Sequence, residues 1–438
     1  MASGVPRSGG GGGNLRKSNY AWLILVSAIG FYALPVGVIG NTSGIFLQPV
    51  MNDFGWSRTT ASLYLTIAPW VAAVCTPFAG RILAKVNSRW VLTATSLIYG
   101  LATAATAYAT QAWEWDLYGV IYGVTSAFFM YLAAPVLINL WFKSNPGTVL
   151  GFAGAALSIT AAIASPVGQS LITSHGWQYS RMVLGLFVAV VSTVITALFV
   201  RRSPESIGVR PLGEETVAPA PTQNGTQNGT ENGTAPAEEG ATVRQARSSV
   251  ALYMMILVAG IFCLGASFFQ QIPSFAADGS LGAEAGAVAV SIVMVGGLIG
   301  KFLLGWMTDH VGSAITGVFA SACGVVGILL AFIAGSNVAL FYVGVALFGI
   351  AFAALTVVSP MFARQGFGSA NFSGIYSWVS TGLFVFSGIA PLLYARVYDA
   401  THSFTVDFLF VIIIYVVAVA MCPVIVRLAR KSWIHSKA

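Results

Sequence analysis

Residues 294–310 read MVGGLIGKFLLGWMTDH, an apolar run that contains one cation, Lys301, and ends near one acid, Asp309. About 20 apolar residues in a helix are long enough to cross a hydrocarbon layer of roughly 30 Å. A lysine at the centre of such a helix costs about 2.5–3.5 kcal/mol on insertion-based scales, so intramembrane lysines usually have a function. The stretch therefore predicts a membrane-spanning helix with a functional charge.

The rest of the chain has the same apolar character. Of its 438 residues, 56% are hydrophobic and only 8% are charged, whereas a soluble domain carries about 25% charged residues. The mean hydropathy is +0.80. We predict an all-α membrane protein with twelve transmembrane helices, at 20–46, 60–80, 90–110, 117–140, 148–172, 182–200, 250–274, 286–306, 313–334, 338–361, 372–395 and 404–427.

The positions of lysine and arginine predict the orientation of these helices. With the N-terminus in the cytoplasm, 17 of the 21 basic residues lie on the inner side and only Arg58, Arg181 and Arg396 on the outer side. Cytoplasmic loops carry such an excess. We therefore expect a multi-pass protein of the cell membrane with both termini in the cytoplasm. The net charge of +7 has the same origin and predicts no nucleic-acid partner.

The chain divides into five parts. Residues 1–19 are predicted to be a disordered cytoplasmic tail, 20–200 and 250–428 two six-helix bundles, and 429–438 a second cytoplasmic tail. Residues 201–249, rich in Pro, Gly, Glu and Asn, predict a flexible cytoplasmic linker because they cannot bury enough apolar surface to fold. Its repeat QNGTQNGTENGT (223–234) contains three glycosylation sequons, which have no such role in the cytoplasm.

The two bundles resemble each other. The second span is followed by GRILAKVNSRW (80–90) and the eighth by GWMTDHVGS (305–313). Duplicated six-helix units are typical of transporters whose halves move around a substrate site near the membrane midplane. We therefore predict two pseudo-symmetric six-helix bundles.

Five further motifs make the resemblance specific. They are FGWSRTTAS (54–62), YLAAPVLINLWF (131–142), HGWQYSRMVLG (175–185), RRSPESIGVRPLGEE (201–215) and ARVYDATHSF (395–404). In this order they resemble the major facilitator superfamily, and within it the branch of monocarboxylate transporters and oxalate:formate antiporters. The resemblance implies gating loops that contain Gly80, Arg81, Gly305 and Asp309. There are departures from the pattern. Ala84 replaces the acid of the first gating loop, and residues 117–127 lack the arginine of proton-coupled drug exporters.

The resemblance implies a substrate role for Lys301. The monocarboxylate family has a substrate-binding cation four residues before the glycine that matches Gly305. The acid that accompanies it in the family is replaced by Gly297, and the family's helix-1 lysine by Asn41. One unpaired cation fits a monoanion better than a dicarboxylate. The antiporter's second basic residue has no counterpart in 372–395, which argues against oxalate. The alternative is a lysine whose amine reaches the membrane surface.

Other polar and aromatic residues are weaker candidates for the same site. A small organic anion needs a few placed polar groups in a mostly apolar pocket. Together with Lys301, the predicted substrate-binding residues are Tyr131, Asn41, Gln270, Gln271, Tyr376 and Trp378. Ordinary packing is the competing interpretation for each of these six.

We expect a secondary active transporter that moves small organic anions such as lactate, pyruvate or formate by alternating access. Proton-linked symport and anion exchange both remain open. The alternatives are an exporter of larger amphipathic compounds and a non-transporting membrane sensor. The sequence has no pattern of catalytic residues, cofactor-binding motif or metal spacing, so we predict no enzyme activity, cofactor or metal. The expected partners are the substrate anion, with or without protons, and the bilayer around a monomer.

Overall fold

The computed structural model describes residues 20–212, 240–401 and 403–434. Over these ranges the backbone is helical, apart from short connections and two isolated β-bridges. The predicted disordered tail, the sequon repeat at 223–234 and the last four residues lie outside the described ranges. The all-α prediction is confirmed.

Six apolar helices precede the linker and form the N-terminal half. They are α1 (Tyr20–Leu47), α2 (Thr59–Lys85), α3 (Ser88–Tyr108), α4 (Ala112–Trp141), α5 (Pro146–His175) and α6 (Trp177–Phe199). Six more follow it and form the C-terminal half. They are α7 (Val250–Gln271), α8 (Val288–His310), α9 (Ser313–Ile333), α10 (Val338–Phe367), α11 (Phe372–Tyr398) and α12 (Thr405–Trp433).

The described residues thus contain 12 helices long and apolar enough to cross a membrane, as the sequence predicts. Each half crosses an even number of times, so the start of α1, the linker and the end of α12 all lie on one side of the membrane. We call this the linker side and the opposite one the far side. Several predicted spans were too short. For example, α6 begins at Trp177 rather than at 182.

Two spans of the N-terminal half are irregular near their middle. α1 contains π-helical turns over Ile29–Ala33 and Pro35–Gly40, and α4 contains one over Phe129–Ala133. A proline lies in or just after each irregular stretch, at Pro35 and Pro135. Proline removes the backbone N–H that the preceding turn needs, and π-helical turns are frequent at functional sites. Tyr32 of the first stretch and Tyr131 of the stretch in α4 line the cavity described below.

The most extensive contacts between the halves are those of two helix pairs, α2 with α11 and α5 with α8. Glycine makes both contacts close. A Cβ at Gly80 would lie 2.5 Å from the Cβ of Ser377, and a Cβ at Gly305 would lie 2.6 Å from the carbonyl oxygen of Gly147. Small residues allow helix backbones to approach in this way. The glycines of α5 and α8 therefore set the distance between the two halves.

The prediction of a flexible linker is wrong at both ends of the segment. Leu212 pairs with the α4–α5 connection through the bonds from Leu212 N to Trp141 O and from Lys143 N to Leu212 O, both 2.9 Å. At the other end, Ala241 N donates to Phe367 O at 2.8 Å, and residues Val243–Ser248 form a short helix. Both ends of the linker are ordered because their backbones pair with the α4–α5 connection and with the end of α10. The amino-acid composition of the linker does not reveal this pairing.

The α5–α8 contact gives a first prediction. Gly305→Ala places a methyl group against the Gly147 carbonyl and should push the halves apart on the linker side. Spin labels at Val86 and Val311, which are 47% and 44% exposed, should report a longer distance. Gly44→Ala is the matched control because its Cβ would meet nothing within 4 Å. Equal distances in the two variants would contradict the role of the glycine contact.

Candidate substrate site and gate

A small cavity lies between the halves. Its wall combines residues of α1, α4, α5, α10 and α11, namely Tyr32, Met130, Tyr131, Ala134, Pro135, Leu150, Ala153, Gly154, Thr356 and Tyr376. The volume is about 10 Å³, which is room for roughly one water molecule. Two of the predicted binding residues, Tyr131 and Tyr376, therefore lie together, in a conformation too closed for an organic anion.

Lys301 adjoins this cavity. Its side chain is 3% exposed, and Nζ donates to the carbonyl oxygen of Gly154 at 2.9 Å and to Oγ of Ser158 at 2.6 Å. Both acceptors belong to α5, so Lys301 joins the two halves. Gly154 also lines the cavity. A Cβ at Gly154 would lie 3.1 Å from Cδ of Lys301, so the glycine provides the space for the lysine chain.

Neither acceptor of Lys301 carries a charge. Hydrogen bonds to a charged group contribute about 1.5–3 kcal/mol each, whereas burying an ammonium group costs several kcal/mol even after relaxation. Two neutral oxygen atoms therefore offset only part of that cost. An ammonium also has three N–H donors, and the described bonds use two of them. The site has the charge and the free donor to take one carboxylate.

Asp309 closes the linker side of the same helix pair. Its carboxylate accepts from the backbone N–H of Gly147 at 2.8 Å, and from the N–H and Oγ of Thr148 at 2.7 Å each. These groups form the first turn of α5, where free N–H groups and the helix dipole favour an anion. We call the contacts of Gly147, Thr148, Gly305 and Asp309 the gate.

A second set of bonds crosses between the halves at the end of α10. The guanidinium of Arg364 donates to the carbonyl oxygens of Phe142, at 3.1 and 3.2 Å, and of Lys143, at 3.3 Å. Nδ2 of Asn139 donates to Ser369 O at 3.4 Å. The last carbonyls of a helix are its negative end, which favours a cation. Sequence analysis missed Arg364 because the predicted tenth span ended at 361.

These contacts define the conformation. Lys301, Asp309, Arg364 and Asn139 all form hydrogen bonds that join the halves, and all of these bonds except those of Lys301 lie at the linker-side ends of the helices. The protein is therefore closed on the linker side. The bonds of Lys301 lie deepest in the membrane and adjoin the cavity.

The other predicted binding residues lie apart from Lys301. Asn41 and Gln270 are exposed toward the far-side ends of α1 and α7, with Gln271 beside Gln270. Trp378 lies against Arg247 of the linker helix, with 4.7 Å between the guanidinium carbon and the ring centroid. The closed conformation groups none of these four with the cavity.

The two predicted gating loops differ. Asp309 and Gly305 contact α5 directly, as described above. In the other loop Gly80 packs on Ser377, but Arg81 is exposed and has only a distant contact, 6.0 Å, with the ring of Phe78. Ala84 supplies no carboxylate for the start of α11. Instead, the linker approaches this end, and Nδ2 of Asn371 donates to Ala241 O at 3.0 Å.

Arg181 is a second buried cation, and it lies near the far-side end of α6. It is 2% exposed. One guanidinium nitrogen donates to the Tyr64 hydroxyl at 2.8 Å and another to Thr106 Oγ1 at 3.3 Å, and the group lies over the rings of Phe46 and Trp115. All these partners belong to the N-terminal half. The predicted span began one residue after Arg181 and therefore did not indicate that this side chain is buried.

Asp407 also differs from expectation. The sequence places it at the end of a span, and it does lie in the first turn of α12. However, its side chain is fully buried, and neither carboxylate oxygen has a hydrogen-bond partner among the described residues. Arg396, predicted outside the eleventh span, lies within α11 and is exposed.

Comparison with known proteins agrees with this architecture. Residues 20–334 match the model of the Major Facilitator Superfamily. The chain is 21% identical over 419 residues to the uncharacterized MFS-type transporter YcxA of Bacillus subtilis, covering 93% of each protein. It is 22% identical over 312 residues to monocarboxylate transporter 12-B of Danio rerio, covering 66% of this chain and 62% of that one.

Solved structures show the same fold. FucP, the fucose:proton symporter of E. coli, solved in its outward conformation, superposes with a TM-score of 0.68 at 15% identity, covering 94% of this chain and 99% of that one. The chain belongs to the Major Facilitator Superfamily of membrane transporters. These relatives do not determine its branch or its substrate.

The gate gives a second prediction. Asp309→Asn removes the charge at the start of α5 and should destabilise the closed state by about 1–3 kcal/mol. A cysteine at Ser377, which is 1% exposed, should then react faster with a water-soluble maleimide.

The matched control is Asp53→Asn. The Asp53 carboxylate bonds Trp177 and Gln178 within the N-terminal half, so the same substitution there should leave the rate at Ser377→Cys unchanged. A rate that does not rise with Asp309→Asn would show that the carboxylate does not hold the halves together.

Proposed function

We propose that this protein is a secondary carrier for small organic monoanions, such as lactate, pyruvate or formate. One observation carries the proposal. Lys301 is a buried cation between the two halves, and its described acceptors are two neutral oxygens of α5. A substrate carboxylate would supply the missing negative charge in a low-dielectric setting, where charge-assisted hydrogen bonds are short and strong.

The charge balance favours a single carboxylate. The other buried cation, Arg181, has its described partners within the N-terminal half, so it does not add to the charge between the halves. The apolar wall with Tyr32, Tyr131 and Tyr376 around the cavity suits a small anion with a short organic part. Tyrosine hydroxyls there can donate to the same carboxylate.

The bonds of Lys301 suggest how substrate and gate are coupled. A carboxylate that binds Nζ competes with Gly154 O and Ser158 Oγ, because an ammonium has only three donors. Binding would therefore replace a link between the halves with a link to the substrate. The remaining linker-side contacts, chiefly those of Asp309, could then separate more readily, and alternating access follows. Proton-linked symport and anion exchange are both compatible with this scheme.

The linker side would be the cytoplasm. The basic residues at the helix ends concentrate on that side, and the positive-inside rule assigns such loops to the cytoplasm. Both termini and the linker would then be cytoplasmic, and the closed gate would face the cell interior.

A sugar is the second candidate substrate. Three tyrosine hydroxyls line or adjoin the cavity, and hydroxyl groups can bond both donors and acceptors of a sugar. FucP is a fucose:proton symporter. A sugar, however, leaves the charge of Lys301 unbalanced, so we favour the anion.

Substitution of the lysine tests the choice. Lys301→Gln should abolish the thermal stabilisation of the purified protein by monocarboxylates and their uptake into proteoliposomes, because the amide cannot balance a carboxylate. Lys85→Gln, at an exposed lysine, is the matched control and should behave like the parent. Stabilisation by hexoses but not by carboxylates, or equal carboxylate binding by Lys301→Gln and the parent, would refute the proposal.

Substitution of Ser158 should strengthen monocarboxylate binding, whereas Lys301→Gln should abolish it. Ser158→Ala removes one competitor for Nζ, worth about 1.5–3 kcal/mol as a bond to a charged group, so monocarboxylates should bind roughly 10- to 150-fold more tightly. Isothermal titration of the parent and the variant measures this ratio. Weaker binding by Ser158→Ala would mean that the hydroxyl helps to hold the substrate rather than competing with it.

A further inference from the structure

The last part of the linker forms a short helix at the linker-side membrane surface. This linker helix, Val243–Ser248, starts with a capping box in which Thr242 and Gln245 bond each other's backbone N–H groups. Ala241, just before it, is tied to Phe367. One residue after the helix, Val250 begins α7. The helix is therefore fixed at the depth where a transmembrane span leaves the hydrocarbon layer.

Two arginines of the linker helix have no acidic partner among the described residues. Arg244 and Arg247 are exposed, and neither forms a hydrogen bond or ion pair within the described chain. They line a surface cleft of about 360 Å³ together with Val243, Ser248 and Tyr253. Arg247 is held over the ring of Trp378, a stacking geometry that leaves the edge of the guanidinium free. The described lining thus combines two cations, one serine hydroxyl and one tyrosine.

The cleft continues onto an apolar stripe of α7. Val250, Tyr253 and Leu257 are spaced by three and four residues, so they share one helix face, and they are 69%, 60% and 43% exposed. In a transmembrane helix such a face contacts lipid tails. Tyrosine is also enriched where headgroups meet the hydrocarbon layer. Tyr253 thus belongs to both the cationic cleft and the lipid-facing stripe.

We infer that this cleft binds the phosphate headgroup of an anionic glycerophospholipid. Arg244 and Arg247 would bond the phosphate oxygens, since guanidinium groups match phosphate in bidentate geometry. The acyl chains would lie along Val250, Tyr253 and Leu257. Basic pockets beside transmembrane helices are typical of such lipid sites. The continuous apolar stripe favours a lipid, because acyl chains can pack against it. Free phosphate has no apolar part that could do so.

The site would connect the lipid to α11, a helix at the contact between the two halves. Val243 packs on α11 at Gly374, whose added Cβ would lie 2.7 Å from Cγ2 of Val243, and Arg247 stacks on Trp378 of the same helix. α11 is one of the helices that contact the other half. A bound lipid would therefore hold the linker helix against an element that moves during transport.

The test uses the full chain in detergent and titrates phosphatidylglycerol by native mass spectrometry. Losing two arginines near an anionic headgroup should weaken the tightest lipid site about 30-fold in the Arg244→Gln/Arg247→Gln variant. Lys85→Gln/Arg202→Gln removes the same charge from exposed residues on the same side and should bind like the parent. If the double variant does not fold, Arg244→Gln alone should show about a 5-fold loss.

Three results would overturn the inference. The first is equal phosphatidylglycerol binding by the Arg244→Gln/Arg247→Gln variant and the parent. The second is equal binding of phosphatidylcholine and phosphatidylglycerol by the parent. The third is displacement of the lipid by inorganic phosphate or glycerol phosphate at equal concentration. The last result would identify a site for soluble anions. Weakening in the arginine variant alone, with no effect of free phosphate, supports the lipid site.

Discussion

The close crossing of α5 and α8 is the constraint on which the rest of the structure depends. Gly147, Gly151 and Gly154 follow one another at spacings of four and three residues, so they form a single face of α5. Against this face lie the Gly305 backbone and the Lys301 carbonyl and side chain. Backbones can approach this closely only where side chains are absent. The same approach brings the Asp309 carboxylate to the first turn of α5 and the Lys301 amine to Ser158.

This geometry explains why a lysine can stand in an apolar helix. The opposing glycine leaves space for the aliphatic chain, and α5 provides two oxygen acceptors for Nζ. These bonds join the two halves in the conformation that is closed on the linker side. A buried charge that loses its partners is costly, so opening requires a replacement partner. In the proposed function the substrate carboxylate is that partner, which couples binding to the change of conformation.

Much of the fold could be predicted because hydrophobic length and glycine placement are local signals. Twelve spans, the halves and the positions of Lys301 and Asp309 all follow from them. Arg181 and Arg364 were missed because both lie within a few residues of a span edge, where hydropathy alone fixes no boundary. The acceptors of Lys301 lie more than a hundred positions away in the sequence, and the linker helix is ordered by backbone pairing with a distant segment. Neither contact leaves a pattern in the sequence. The cavity likewise arises from five helices together.

The central claim is that Lys301 exchanges its α5 acceptors for the carboxylate of the substrate. Solid-state magnetic resonance can test this claim. It measures the dipolar coupling, and hence the distance, between an isotope-labelled carboxylate carbon of bound lactate and isotope-labelled lysine Nζ atoms. The account predicts one coupling, at a separation of about 3.5 Å as expected for a direct ammonium–carboxylate contact, that persists in Lys85→Gln and is absent in Lys301→Gln. Bound lactate without such a coupling, or a coupling that survives Lys301→Gln, would contradict it.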